Sequence, residues 1–407
     1  MNVHPSDEPS QQPFRSRLVR AINKNDREGN RALALVCVGS TVGLLLLGLW
    51  PLNFFPKNNA EWLPDRNGLR FPGGEAHARF SAGGVAFTPQ PLALPRAGPS
   101  AEGSLSLEIW LRPALEPGGG RYRIVAFSNA SNEETIFVAQ WRSHFLVRVL
   151  QPGTSRQRHY REIGVDDALK AGEPRFITIT SDRSGSAIYL EGKSVSRFEN
   201  VSLISWPETI AGQRLFLGIS PEGSDAWPGE LDGLAIYDHA LSAEQVRESY
   251  QWWTEPAGKP RPVQEGVISL YDFSAKSGPW VHDASGATNR LFVPATLKFK
   301  RKPLSDFQLS GSHPLDMLIN ILGFAPYGFC VALWLRRTRK WPRGRELLIT
   351  VAVGSLVSLT IELVQVWLPV RDSSLTDLIC NTGGTFLGAL IVCSPRFQRL
   401  SAAAAAD

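Results

Sequence analysis

Three sets of polar residues recur at helical spacing inside otherwise apolar stretches near the C-terminus. Asp316, Asn320, Gly323 and Tyr327 lie at i, i+4, i+7 and i+11, so they share one helix face. Ser355, Ser358, Glu362 and Gln365 follow at i, i+3, i+7 and i+10, and Asp377, Asn381, Gly384 and Gly388 repeat the first spacing. Three polar faces imply one shared interior. Glu362 and Asp377, with Arg371 between them in sequence, are the candidate catalytic groups, because burial and a nearby guanidinium can tune two carboxyls into an acid and a base. Asp316, Asn320, Gln365, Asn381 and Gly384 are candidate binding residues, and Gly384 with Gly388 also makes a small-xxx-small contact surface. The competing reading is helix glue, in which the amides and hydroxyls bond across helices and Glu362 pairs with Arg371. Against that, an ionisable group inside a membrane span is expensive and marks a functional site by default.

These residues need spans to hold them. Residues 32–55 contain no charge, and about 20 apolar residues cross a bilayer core as a helix. Arg15, Arg17, Arg20, Lys24, Arg27 and Arg31 precede this run, and no small-residue cleavage pattern follows it. The run therefore reads as an uncleaved anchor with residues 1–31 as a cytoplasmic basic tail. Three further spans are expected at 316–335, 347–368 and 377–392. The cluster Arg336, Arg337, Arg339, Lys340, Arg343 and Arg345 belongs in the cytoplasm by the positive-inside rule, as does the tail 395–407 with Arg396 and Arg399. The intervening region 60–300 and the short loop 369–376 then lie outside. Trp50 and Trp367 fall where an interfacial aromatic belt would sit. On a helix running outward, Glu362 lies about 7 Å inward of Trp367, which places the polar layer in the outer leaflet.

Composition agrees with this segregation. Of 407 residues, 43% are hydrophobic and 20% charged, with a net charge of +5. Disordered and collagenous chains are excluded. The arginines flank the apolar runs, where they set topology, so nucleic acid is not expected as a partner. Cys37, Cys330, Cys380 and Cys393 all fall in apolar runs, which argues against a disulfide framework. The middle region instead shows short alternating runs separated by Gly, Pro, Ser and Asn, the pattern of an all-β sandwich. Ser242 with Gln245 reads as a capping box, and Gly192 as the positive-φ residue of a tight hairpin. Val267 to Pro294 reads either as added strands or as the start of a second, degenerate copy.

Within this region Ser-Leu-Glu-Ile-Trp-Leu-Arg-Pro (106–113), Ala-Ile-Tyr-Leu-Glu-Gly-Lys (187–193) and Gly-Glu-Leu-Asp-Gly-Leu-Ala-Ile-Tyr-Asp (229–238) occur in the order that resembles the LamG, concanavalin A-like jelly roll. The resemblance implies recognition of a glycan or protein through exposed loops. Trp141, Trp206 and Trp227 are candidate sugar-stacking residues, whereas Trp110, inside a strand, reads as core. Calcium is a candidate cofactor, with Asp182, Asp225, Glu230 and Asp232 as its acidic ligands, although they match no fixed ligand spacing.

The polar stripes, with Asn320-Ile-Leu-Gly-Phe-Ala-Pro-Tyr-Gly, Ile361-Glu-Leu-Val-Gln-Val-Trp-Leu-Pro-Val-Arg and Asp377-Leu-Ile-Cys-Asn-Thr-Gly-Gly, resemble the VanZ family over about residues 314–394. The resemblance implies an integral envelope protein, one member of the family lowering susceptibility to teicoplanin, and brings no settled chemistry. The expected architecture is a multi-domain membrane protein with an extracytoplasmic all-β jelly-roll sandwich and a four-helix transmembrane bundle. Its expected partners are the lipid bilayer and an envelope glycan or protein, in envelope modification or glycopeptide resistance. The alternatives are an intramembrane enzyme acting on a lipid-linked saccharide or peptidoglycan precursor, and a transporter or flippase.

Overall fold

The computed structural model describes residues 12–73, 83–94, 103–114, 120–151, 160–199, 201–203, 210, 212–255, 265–299, 303–304, 314–339, 341–395 and 397, with backbone alone for 12–26. Trp206, Lys340, Arg396 and Arg399 lie outside the described residues. The chain divides into a β unit, Asn53–Arg301, and a helical unit made of Met1–Leu52 with Lys302–Asp407.

The β unit contains β1 (Glu61–Trp62), β2 (Leu69–Pro72), β3 (Ala86–Phe87), β4 (Leu105–Pro113), β5 (Tyr122–Ser128), β6 (Glu134–Trp141), β7 (His144–Leu150) and β8 (Tyr160–Val165). It continues with β9 (Arg175–Asp182), β10 (Gly185–Leu190), β11 (Lys193–Glu199), β12 (Arg214–Leu217) and β13 (Pro228–Tyr237). Helix α2 (Ala243–Thr254) follows, then β14 (Val267–Tyr271), β15 (Trp280–Val281) and β16 (Leu291–Phe292). One sheet runs β1-β2-β13-β4-β9-β10-β11, with β14 beside β13, and the other runs β15-β16-β3-β12-β5-β6-β7-β8. Residues 267–292 therefore complete both sheets of a single sandwich and begin no second copy.

Alternation drives the packing. Leu105, Leu107, Ile109 and Leu111 of β4 meet Ile124, Phe127, Val147 and Leu215 between the sheets, all at most 1% exposed. Each such side chain contributes about 1.5–3 kcal/mol of burial. The outer face of the first sheet is also covered, because Trp110, Phe176, Ala235 and Tyr237 pack against Val246 and Trp253 of α2. A fully buried carboxylate, Glu108, fastens that helix. It accepts hydrogen bonds from the Tyr237 hydroxyl (2.7 Å), the Ser249 hydroxyl (2.8 Å) and the Trp253 indole (3.2 Å). The helix starts at a capping box formed by Ser242 and Gln245. The β10–β11 hairpin turns through Glu191 and Gly192, both at positive φ, as a type I′ turn requires.

The two ends of the β unit are joined to each other. Lys57 bridges Thr296, the Asn58 amide donates to the Ala295 carbonyl (3.0 Å), and the Leu297 amide donates to the Pro56 carbonyl (2.8 Å). The buried Asn58 side chain donates to the carbonyls of Val85 (2.9 Å) and Pro294 (2.8 Å).

The helical unit comprises α1 (Gln12–Leu49), α3 (Pro314–Arg339), α4 (Arg343–Gln365) and α5 (Leu375–Cys393). Among the described residues four helical stretches, Arg27–Leu49 of α1 and the whole of α3, α4 and α5, are long and apolar enough to cross a membrane. Leu35, Leu47, Leu315, Leu348 and Leu356 are more than 60% exposed on the outside of the unit, as lipid contact demands. Helices α3 and α5 approach backbone to backbone. A methyl group at Gly388 would run into the Ala325 carbonyl, one at Gly384 into the Ile321 carbonyl, and one at Gly328 into the Thr385 carbonyl. Cys37, Leu44 and Leu49 of α1 pack with Phe324, Tyr327 and Ile361. All four cysteines are free.

Candidate functional site

The polar stripes meet at one end of the helical unit, where α1 and α4 finish and α3 and α5 begin. Asn320, in the second turn of α3, donates to the Asp377 carboxylate of α5 at 2.8 Å. Asn381, one turn further along α5, donates to the Ser358 hydroxyl of α4 at 3.0 Å, and Ser355 bonds Thr382 at 3.1 Å. Glu362 is 1% exposed, and one of its carboxylate oxygens accepts the Ser374 backbone N–H at 2.7 Å. Ser374 is the N-cap of α5 and in turn accepts the Asp377 N–H at 3.3 Å. Glu362 and Ser374 thus satisfy two of the N–H groups, those of Ser374 and Asp377, that the helix start would otherwise leave bare. Asp377 and Arg371 both act on Glu362 through their charges.

Arg371 is placed otherwise than simple pairing with Glu362 would require. Its guanidinium donates to the Gly48 carbonyl at 3.1 Å, and the Gln365 side-chain amide donates to the same oxygen at 2.8 Å. Gly48 lies in the last turn of α1, whose carbonyls have no partner within the helix. The two residues therefore clamp α1 to the α4–α5 connection, a backbone partner that side-chain spacing does not signal. Asp316 stands apart from the layer, exposed in the first turn of α3, where a carboxylate complements the helix dipole. Gly384 acts as a contact surface, since its missing side chain lets the α3 backbone approach.

Two acceptor atoms of this layer stand out. Oε1 of Gln365 and Oδ1 of Asn381 are buried and have no hydrogen-bond partner among the described residues. Both are acceptors, and they lie in a layer that already holds two carboxyl groups. The arrangement suits a ligand that donates, such as a hydroxyl, an amide N–H, an ammonium or a water, and it suits movement of a proton.

In the β unit the tryptophans separate. Trp141 is 37% exposed, stacks on His144 at 5.1 Å and has the Arg142 guanidinium 5.3 Å from its ring, so it stays at the surface as a stacking candidate. Trp227 is 0% exposed and donates to the Gln140 side chain at 2.7 Å, which removes it from the stacking candidates. Its position just before β13 turns it between the sheets, where only a hydrogen-bonded indole is tolerated. Trp110 lies against Trp253 under α2, as a core residue would.

The four carboxylates considered for calcium do not converge. Asp182 closes the β9–β10 turn, accepting from the Ser184 hydroxyl and from the N–H groups of Ser184 and Gly185, and those bonds lower its pKa. Asp225 pairs with Arg123 at 3.2 Å. Glu230 and Asp232 share Arg66, and Glu230 also pairs with Arg70 at 2.9 Å. Burial raises the Asp232 pKa while Arg66 opposes it. With arginine and turn amides already holding these oxygens, the set does not fit a calcium site. Among the described residues no three His, Cys, Asp or Glu side chains gather as a metal site requires.

Residues 269–397 match the VanZ/LLP1 family, and residues 88–247 match the concanavalin A-like lectin/glucanases superfamily. The VanZ/LLP1 match begins inside the β unit, at β14. No curated protein matches the chain. Among solved structures, the binding domain of botulinum neurotoxin DC in complex with rat synaptotagmin II is 14% identical over 49% of this chain and 46% of that one, with a TM-score of 0.36. The botulinum neurotoxin type G receptor binding domain is 13% identical over 48% and 45%, with a TM-score of 0.35. This chain spans less than half the length of either, and the likeness extends to neither ligand nor activity. The chain therefore joins a region that matches VanZ/LLP1 to one that matches the concanavalin A-like lectin/glucanases superfamily within one membrane protein.

Proposed function

We propose that this is a cell-envelope protein in which the sandwich recognises an envelope glycan or protein on the outer side of the inner or plasma membrane, while the VanZ-like bundle acts on the envelope through its polar layer. The observation that carries the reading is the layer itself. Two carboxyl groups and two buried acceptors without partners stand together where α1 ends and α3 begins, the two helices between which the sandwich is inserted in the chain. Plain helix glue gains nothing from such acceptors, because an unpartnered buried polar atom costs about 1–3 kcal/mol. The basic clusters support an orientation with both chain ends in the cytoplasm and the sandwich outside. Under that orientation a role in envelope modification, including altered teicoplanin susceptibility, is the finer reading.

The test uses the full chain in its membrane. Reporter fusions after Lys57 should read outside and fusions at Arg339 inside; an inside signal at Lys57 overturns the arrangement. Purified protein in detergent should be retained on cell-wall material. Loss of the protein should change glycopeptide susceptibility, and a strain lacking it that keeps both wall composition and susceptibility unchanged counts against envelope modification.

A further inference from the structure

One face of the second sheet carries aromatic rings where solvent ordinarily selects polar residues. Ala86, Leu215, Leu217, Val281 and Leu291 enter the core, so the alternate residues Phe87, Phe216, Trp280 and Phe292 stand on the opposite face. Strand register sets these four side by side, Trp280 opposite Phe292, Phe292 opposite Phe87, and Phe87 opposite Phe216. Ring centroids follow one another at 4.9, 6.0 and 5.5 Å, and the last pair is stacked at 14°. With neighbouring strands about 4.8 Å apart, the row runs roughly 14 Å across the sheet. A cavity of about 360 Å³ lies over it, walled by Phe87, Phe216 and Phe292 and edged by Asn132, Arg214 and Lys298.

Charge distinguishes this half of the sheet from the other. In the far half Arg123 lies 3.8 Å from the Phe137 ring and Arg148 lies 5.9 Å from Tyr160, but Glu134 and Glu162 pair with them. Beside the aromatic row, Arg214 lies 5.4 Å from Phe216 and Arg290 lies 5.7 Å from Trp280. Arg214 donates to the neutral Asn132 side chain, and among the described residues no carboxylate pairs with Arg214, Arg290 or Lys298. Phe216 is 5% exposed and stacked on Phe87, so the rings a ligand can reach are Trp280, 39% exposed, and the half-buried Phe292 and Phe87, with unneutralised cations along them.

We propose that this row binds an acidic oligosaccharide, its sugar C–H faces stacked on the rings and its carboxylates met by Arg214, Arg290 and Lys298. The inference rests on the reading of the sandwich as the recognition unit, and it names the site and the ligand class. The three reachable rings span roughly 10 Å, longer than a single sugar. The row runs across the strands, so an extended peptide lying along it would meet side chains and not the backbone groups that strand addition uses.

The test measures binding of oligogalacturonate, its fully methyl-esterified form and oligoglutamate to the full-length protein in detergent. Charge-assisted contacts imply about tenfold weaker binding of the ester than of the acid. Arg214→Gln with Arg290→Gln should lose at least that much for the acid while leaving the unfolding temperature unchanged, and Phe292→Ala should weaken both sugars. Equal binding of acid and ester, or an unaffected double variant, overturns the inference. Oligoglutamate binding as tightly as oligogalacturonate overturns it in favour of an acidic peptide. If wild-type protein is retained on cell-wall material yet ignores all three probes, this inference falls and the recognition reading stands. If it is retained on neither, both fall.

Discussion

Replacing Glu362 by glutamine and by alanine should have unequal effects, because the two substitutions remove different things. The Glu362 carboxylate accepts the Ser374 N–H at 2.7 Å, and a glutamine carbonyl can accept the same bond. A bond to a charged acceptor is worth about 1.5–3 kcal/mol and one to a neutral acceptor about 0.5–1.5, so Glu362→Gln should lose about 1 kcal/mol. Interhelical hydrogen bonds in membranes average about 0.6 kcal/mol, which makes the lower ends of these ranges the relevant ones. Alanine removes the acceptor and leaves a cavity at the start of α5, a loss of about 2–3 kcal/mol. The assay pairs thermal unfolding in detergent with teicoplanin susceptibility at matched expression. If the charge is functional, Glu362→Gln abolishes the phenotype while unfolding near wild type, and Asp377→Asn behaves alike. If Glu362→Gln unfolds as early as Glu362→Ala, the hydrogen-bond account is wrong. A well-expressed Glu362→Gln and Asp377→Asn double variant with the full phenotype would falsify the functional reading of the layer.

Glu108→Ala strands three buried donors under α2 and should lower the stability of the β unit by about 3–5 kcal/mol, read by denaturant unfolding with tryptophan fluorescence; Glu108→Gln, which keeps an acceptor, should lose less. Gly388→Val forces α3 from α5 and should destabilise the helical unit by about 1–3 kcal/mol in thermal unfolding, whereas Gly323→Ala, whose methyl group meets open space, should be neutral. Burial raises the Glu134 pKa despite Arg123, so the folded state keeps a proton that the unfolded chain has lost. Stability should therefore fall as pH rises from the ordinary glutamate range through the raised value, and Glu134→Gln should remove that slope from melting temperature against pH. Asp182 has the opposite sign. Its contribution is present above the ordinary aspartate pKa and disappears as pH falls through the lowered one, so Asp182→Asn should flatten the acid limb.

Much of this molecule is legible in its sequence because its signals are strong and local. Uncharged runs of membrane length, the Ser242–Gln245 box and the 191–193 turn each depend on a few neighbouring residues. Helical spacing also puts Asn381 and Ser358 on faces that meet. It does not reach partners that are backbone atoms or lie far along the chain. Glu362 bonds an amide in the following loop, and Arg371 bonds a carbonyl 323 residues away, neither of which has a side chain to advertise it. Trp227 is misread for a related reason, since whether a ring faces solvent depends on which side of β13 the second sheet covers. The row Trp280–Phe292–Phe87–Phe216 is hidden because strand order brings together residues from four separated strands.

The joined ends of the β unit, with Lys57 against Thr296 and Pro56 against Leu297, alter what the bundle experiences. A flexible connection of roughly 250 residues between α1 and α3 would carry a larger closure entropy than one of about 25, by about 2 kcal/mol on a (3/2)RT ln n scale. Once the sandwich folds and brings its own ends together, the helices see only a short linker whatever the size of the cargo. A domain grafted in this way is nearly free of topological burden for its host. The same neck should accept another sandwich with adjacent ends, or a few glycines, without loosening the packing of α1 against α3 and α4.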